Sequence, residues 1–142
     1  MFKIELDIYD NDWDEVKSNT NVYNDELRAI LTIIERPSET EAKMLVYVNE
    51  LYNKLLQWIK DDQKNMFVDF YYIDPVEFED YLEIKSSNGK YCIDLPTSIF
   101  YVDKTAAVQF GRDLVVAITS MFEKKGKEGI QYLNLLNTKG NK

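Results

Sequence analysis

Apolar and charged residues alternate strictly at the start of the chain, where Phe2, Ile4, Leu6 and Ile8 are separated by Lys3, Glu5 and Asp7. A period of two is the signature of a strand with one buried face, so a first strand is predicted here. The stretch Tyr9 to Asn24 is polar and acidic with few apolar anchors and reads as a long loop. Glu26 to Glu35 fits two periods: Leu27, Ile30, Leu31 and Ile34 have helical spacing, while Ile30, Thr32, Ile33 and Ile34 form a β-branched cluster suited to a strand. Strand is preferred, because the first strand needs a partner.

The next pattern predicts a helix. Ser38-Glu39-Thr40-Glu41 has the form of a capping box, with Ser38 as N-cap and Glu41 three residues on. Leu45, Val48, Leu51, Tyr52, Leu55, Leu56 and Ile59 then recur at helical spacing, and the pattern fades at Lys60 to Lys64. Three strands are predicted to follow. Met66, Val68, Phe70 and Tyr72 alternate with Phe67, Asp69 and Tyr71. Tyr81 to Lys85 places Leu82 and Ile84 on one face. After the Asn88-Gly89 dipeptide, which favours a tight hairpin turn, Tyr91, Ile93 and Leu95 form the returning strand. Ile99 to Val102 is a candidate further strand. Asp103 is the expected N-cap of a second long helix carrying Ala107, Phe110, Leu114, Ile118, Met121 and Phe122, with Gly126 at its C-terminal end. Ile130 to Leu136 suggests a short last helix, and 137–142 a frayed tail. The expected architecture is one α+β domain over residues 1–142. It has a single antiparallel-rich sheet with two main helices packed on one face, in the order β-β-α-β-β-β-α.

Composition narrows the chemistry. At 142 residues with 45% apolar and 13% aromatic content, the chain builds a core without disulfides or metal. The lone Cys92 cannot form an internal disulfide and reads as a buried thiol in a strand. The N-terminal alternation lacks the unbroken apolar run of a signal peptide, and no stretch approaches the roughly 18 apolar residues of a membrane span. The expected location is the cytoplasm, with no membrane partner.

Charge is distributed unevenly. Met1 to Glu83 holds 20 Asp and Glu against 8 Lys and Arg, a net of −12, while Ile84 to Lys142 holds 5 against 9, a net of +4. Phosphate binding depends on clustered basic residues, so nucleic acid is not an expected partner. The balance favours a basic protein as partner, or none at all, since net negative charge also simply keeps proteins soluble.

Histidine is absent, which removes Ser-His and Cys-His catalysis and most structural zinc sites. With 5 glycines and no Gly-rich phosphate motif, nucleotide binding has no support. Asp10-Asn11-Asp12-Trp13-Asp14 opens like a calcium loop. The positions that need glycine and glutamate hold Glu15 and Asn21, however, so no metal is assigned. No cofactor is implied. Asp74 with Glu83-Ile84-Lys85 has the form of a nuclease core, in which two carboxylates hold Mg²⁺ and a lysine assists the attacking water. The basic groove that such an enzyme needs is missing from this acidic region. A carboxylate-only enzyme requires just two Asp or Glu, and 25 carboxylates nominate no pair. Binding is favoured over catalysis.

One constellation suits recognition. Asp69, Tyr71, Asp74, Glu77, Glu79, Asp80, Tyr81 and Glu83 fall within 15 residues, on the side of the strands away from Val68, Phe70, Leu82 and Ile84. Tyrosines give contact area at low entropic cost, and carboxylates orient Lys or Arg. The plain alternative is a solvated sheet face. The acidic stretch Asp10 to Glu15 is a second candidate contact surface.

In size, acidity, lack of catalytic residue types and order of elements, the chain resembles the small immunity proteins that bacteria keep against their own polymorphic or contact-dependent toxins. Trp58-Ile59 closing a helix, Phe67 to Ile73 as a strand, and Leu82-Glu83-Ile84 before an Asn-Gly hairpin are similar to the WapI-like immunity group of Bacillus-type bacteria. The resemblance covers Glu26 to Leu95 and carries no specific motif. It implies a non-catalytic inhibitor that binds a cognate, basic toxin domain and blocks its active site or substrate groove. Two other readings remain: the Mg²⁺-dependent nuclease on Asp74, Glu83 and Lys85, and an adaptor that mimics nucleic-acid charge. The sequence leaves the oligomeric state open.

Overall fold

The computed structural model describes residues 2–18, 27–62 and 67–139. Eleven elements follow in the order β1 (Phe2–Ile8), α1 (Asp10–Ser18), β2 (Arg28–Glu35), β3 (Thr40–Tyr47), α2 (Val48–Asp62), β4 (Phe70–Ile73), β5 (Tyr81–Ser87), β6 (Lys90–Leu95), β7 (Ser98–Val102), α3 (Lys104–Glu123) and α4 (Lys127–Lys139). The class is α+β. The strands form two antiparallel sheets, β1-β2-β3 and β4-β5-β6-β7, rather than the single sheet expected, and four helices are present rather than two main ones.

The sequence expectations at β1, β2, β5, β6 and β7 correspond to strands, and the preference for strand at Arg28–Glu35 agrees with the structure. In β2 the alternation Ala29, Leu31, Ile33 is fully buried and pairs with both neighbours. The largest correction lies at residues 38–47. The Ser38 and Glu41 capping box is not a helix start. It serves a hairpin turn instead: Ser38 Oγ donates to Glu35 Oε1 at 2.6 Å, and Thr40 N donates back to Ser38 Oγ at 3.3 Å. Ala42, Met44 and Val46 then alternate into the core as β3, and the helix starts only at Val48. Ser, Thr and Glu satisfy free backbone donors equally well in turns and at helix ends; pairing with β2 decides between them.

A second correction is α1. Asp10–Ser18, part of the expected loop, is helical, with Asp10 and Asp12 in the first turn, where the helix dipole favours carboxylates. Two buried apolar residues, Trp13 and Val16, hold it together with the buried Asp12, and Trp13 meets Tyr132 edge-on. Residues 19–24 of that expected loop, Glu26 and Met66 lie outside the described residues. The last helix is longer than expected and continues through the residues read as a tail as far as Lys139; the remaining 140–142 are outside the description.

One apolar core runs through both sheets, with α3 packed on α2, α4, β1 and β6. Asp103 caps α3 as expected, its Oδ1 accepting from Ala106 N at 2.8 Å. Gly126 has the positive φ that ends the α3 turn. Gly111 lies against the Trp58 ring, so a β-carbon there would overlap the indole. The sheets meet through side chains. Tyr47 N donates to Tyr72 Oη at 2.7 Å, and Leu45 N to Asp80 Oδ2 at 3.2 Å, so the outer edge of β3 is closed by groups from the second sheet. No described helix is long and apolar enough to cross a membrane.

Candidate partner-binding surface

The β5–β6 hairpin supplies the frame of the site. Leu82 and Ile84 on β5 and Ile93 on β6 point into the core, which leaves Tyr81, Glu83 and Lys85 with Cys92 and Asp94 on the outer face. Register continues this face to Tyr71 on β4, opposite Glu83, and to Ile99 and Tyr101 on β7, opposite Asp94 and Cys92. At the centre stands Asp94, only 8% exposed. Its Oδ1 accepts from Tyr81 Oη at 3.1 Å and its Oδ2 from Lys85 Nζ at 3.1 Å, while Glu83 lies 4.0 Å from the same ammonium. The hydrogen bond to Asp94 raises the Lys85 pKa, with Glu83 adding to it. Burial, and then the Asp94 carboxylate, raise that of Tyr81. Cys92 is half-buried rather than buried, and desolvation pushes its thiol pKa up. Around this fixed polar centre Tyr71, Ile99 and Tyr101 are exposed, Tyr101 by 73%.

The second part of the site is the connection between β4 and β5. Asp74 is 2% exposed and its Oδ1 accepts from Val76 N at 2.8 Å and Glu77 N at 3.2 Å. Phe78 N donates to Asp74 O, and Asp74 N to Asp80 O at 2.8 Å, which closes the base of the loop. Asp80 is tied in turn to Leu45 N. This frame holds Phe78 at a φ of 59°, a left-handed conformation that bulky residues rarely adopt, with its side chain in solvent (66% exposed). Val76 is exposed beside it, as are Glu77 and Glu79. Local strain with an exposed apolar tip persists only where the surroundings over-determine it, and such positions concentrate at functional sites.

The eight candidate residues therefore divide into four sets. Tyr71, Tyr81 and Glu83 share the outer face; Glu77 and Glu79 flank Phe78 in the loop; Asp69 is exposed and accepts from Ser86 N at 3.1 Å. Asp74 does not belong to a presented surface, because it is buried and its carboxylate accepts from backbone donors of its own loop, while Asp80 is half-buried with Oδ2 turned to Leu45 N. Val68, expected on the buried side, is exposed, and its carbonyl accepts from Trp58 Nε1 at 2.6 Å. Sequence reading missed Asp94, Val76, Phe78, Ile99 and Tyr101. Asp94 could have been found by counting across the Asn88-Gly89 turn, which sets it opposite Glu83.

The nuclease constellation is not assembled. Asp74 follows Phe70 and Tyr72 in the buried alternation, whereas Glu83 and Lys85 stand on the outer face with Lys85 bound to Asp94. Among the described residues no three His, Cys, Asp or Glu side chains converge as metal ligands. The second candidate surface is split as well. Asp12 is buried and accepts from Arg28 N, Nε and Nη2, each at 2.9 Å, and Arg28 also lies over the Tyr9 ring. Asp10, Asp14 and Glu15 remain exposed. No family model matches the chain, and neither does any curated protein or solved structure.

Proposed function

We propose that this protein is a non-catalytic immunity protein that neutralises a basic toxin domain by stoichiometric occlusion. The observation that carries this reading is the 75–79 loop: an exposed Phe78 held between Glu77 and Glu79 on a frame of internal hydrogen bonds. A rigid apolar tip loses little entropy on binding and fits the anchor role in which a few aromatic residues carry most of the interface energy. The flanking glutamates select a pocket rimmed by Lys or Arg, as in the phosphate-binding cleft of a nuclease. The outer face, with Tyr71, Tyr101 and Glu83, supplies the surrounding contact area. The cytoplasm is the proposed site of action, since the partner is a toxin that has entered or is stored in the cell.

The test is a tagged capture from the source organism, including envelope and secreted fractions, with the wild type, Phe78→Ser and Glu77→Lys/Glu79→Lys run in parallel. One stoichiometric basic polypeptide is expected with the wild type, and it should be released at high salt. Loss of a hot-spot aromatic costs about 2 kcal/mol or more, so retention by Phe78→Ser should fall by roughly thirtyfold. Asp74 is left intact because its carboxylate holds the loop. Equal capture by both variants, or an acidic captured polypeptide, would sink the reading.

A further inference from the structure

β1 is the open edge of its sheet. Tyr9 N donates to Arg28 O at 3.1 Å. By the alternation of an antiparallel pair, Lys3, Glu5 and Asp7 turn their backbone groups toward β2, and Phe2, Ile4, Leu6 and Ile8 turn theirs outward. The opposite edge, on β3, is closed at Leu45 and Tyr47 by Asp80 and Tyr72. β1 therefore offers the sheet a full-length edge on which to grow. Phe2, Ile4 and Leu6 are half-buried there, and they line an open groove of about 1040 Å³ with Val116 and Ala117 of α3 and with the polar Asp113, Ser120 and Lys124. Val116 is itself exposed. Lys3 and Glu5, on the other face, are both more than half exposed and 3.1 Å apart.

We propose that a second copy of this chain occupies this edge, its β1 adding antiparallel to form a continuous six-stranded sheet. A two-fold pairing that joins outward-facing backbone groups has few registers. Centred on Ile4, it sets Ile4 opposite Ile4 of the second copy, Phe2 opposite Leu6, and Lys3 opposite Glu5, twice. Centred on Glu5 it would set Lys3 opposite Asp7 twice but two glutamates opposite each other between them, and centred on Leu6 it would oppose Glu5 to Asp7 twice, so only the Ile4 register is without a like-charged pair. Cross-strand pairs of opposite charge stabilise and like pairs destabilise, which selects the Ile4 register. Residues opposite one another share a face, so the apolar side chains of both strands meet on the α3 side. Open apolar edges are otherwise an aggregation hazard, and a closed two-fold pair removes it. The inference does not depend on the toxin reading.

The test is sedimentation equilibrium of the whole chain over a concentration series up to its solubility limit, with amide exchange measured at both ends of the series. A monomer–dimer equilibrium is expected. Lys3→Glu opposes two pairs of glutamates and should weaken it by about tenfold; Lys3→Glu/Glu5→Lys should restore it. Both positions are exposed, so circular dichroism should stay unchanged. The Ile4 and Leu6 amides should exchange fast in the monomer and slowly in the dimer, while those of Glu5 and Asp7, bonded within the sheet, should barely change. A monomer at every concentration, a dimer indifferent to Lys3→Glu, or fast Ile4 exchange in the dimer would each overturn the proposal.

Discussion

Gly111→Ala sets two physical effects against each other. Gly111 is in the interior of α3, and on helix propensity alone alanine there gains about 1 kcal/mol. The added methyl, however, overlaps the six-membered ring of Trp58. That ring cannot simply step aside. Its Nε1 donates to Val68 O at 2.6 Å, and its faces and edges meet Phe67 and Phe70 at centroid distances of 6.1 and 5.8 Å. Overpacking a filled core costs about 1–3 kcal/mol, and a shifted indole forfeits a hydrogen bond worth about 0.5–1.5 kcal/mol. The overlap outweighs the propensity gain, and a net destabilisation of about 1–3 kcal/mol is expected. Urea unfolding followed by tryptophan fluorescence reads it directly. In a Trp58→Leu background the same substitution should be neutral or stabilising, because the obstacle is gone and the two sites couple. A Gly111→Ala protein as stable as the wild type or more so would refute the α2–α3 packing described here.

Two further predictions follow from buried polar groups. The Arg28 hydrogen bonds hold Asp12 below its usual pKa, with burial opposing them. A depressed folded value means that the stabilisation is complete above the unfolded-chain pKa of about 3.9 and fades as pH falls through the folded value. The stability gap between wild type and Asp12→Asn in urea unfolding should therefore be widest near neutral pH and narrow in acid; a gap that is constant with pH would contradict this. Tyr72→Phe removes the acceptor of the Tyr47 amide at the junction of the sheets. Loss of a buried acceptor costs about 1–3 kcal/mol, and the Tyr47 amide should exchange faster than its neighbours in β3; unchanged exchange would mean that another group closes this edge.

Much of the fold was legible where local chemistry and tertiary pairing agree. The Tyr81–Leu95 hairpin follows from an Asn-Gly turn between two alternating runs, and Asn88 and Gly89 both take the positive φ that this turn requires. The Asp103 cap and the apolar stripe of α3 were likewise readable. Residues 38–47 were not, because Ser38 to Glu41 carries the same residue types as a helix cap and because Leu45, Val48 and Leu51 happen to continue a helical period across a strand–helix boundary. α1 was missed because two anchors in an acidic stretch give too weak a pattern. Of the candidate cluster, the strand-borne Tyr71, Tyr81 and Glu83 follow from period-two alternation, but whether an aspartate faces solvent or its own backbone does not. Asp69, Asp74 and Asp80 are the same residue type within 12 positions; one is exposed, one caps a loop, and one bridges two sheets.

By itself, then, the sequence determined the α+β class, the alternation of β1, β2, β5 and β6, the Asp103 cap, the Asn88-Gly89 turn and the acidic balance, because each depends on residues near in the chain. Only the tertiary structure decided that there are two sheets, that β3 rather than a longer α2 follows Pro37, and that Phe78 is held out in solvent. Those outcomes depend on which backbone donors are already satisfied by distant partners. Tyr72 and Asp80 close the edge of β3 from more than 20 residues away, and no local pattern encodes that distance.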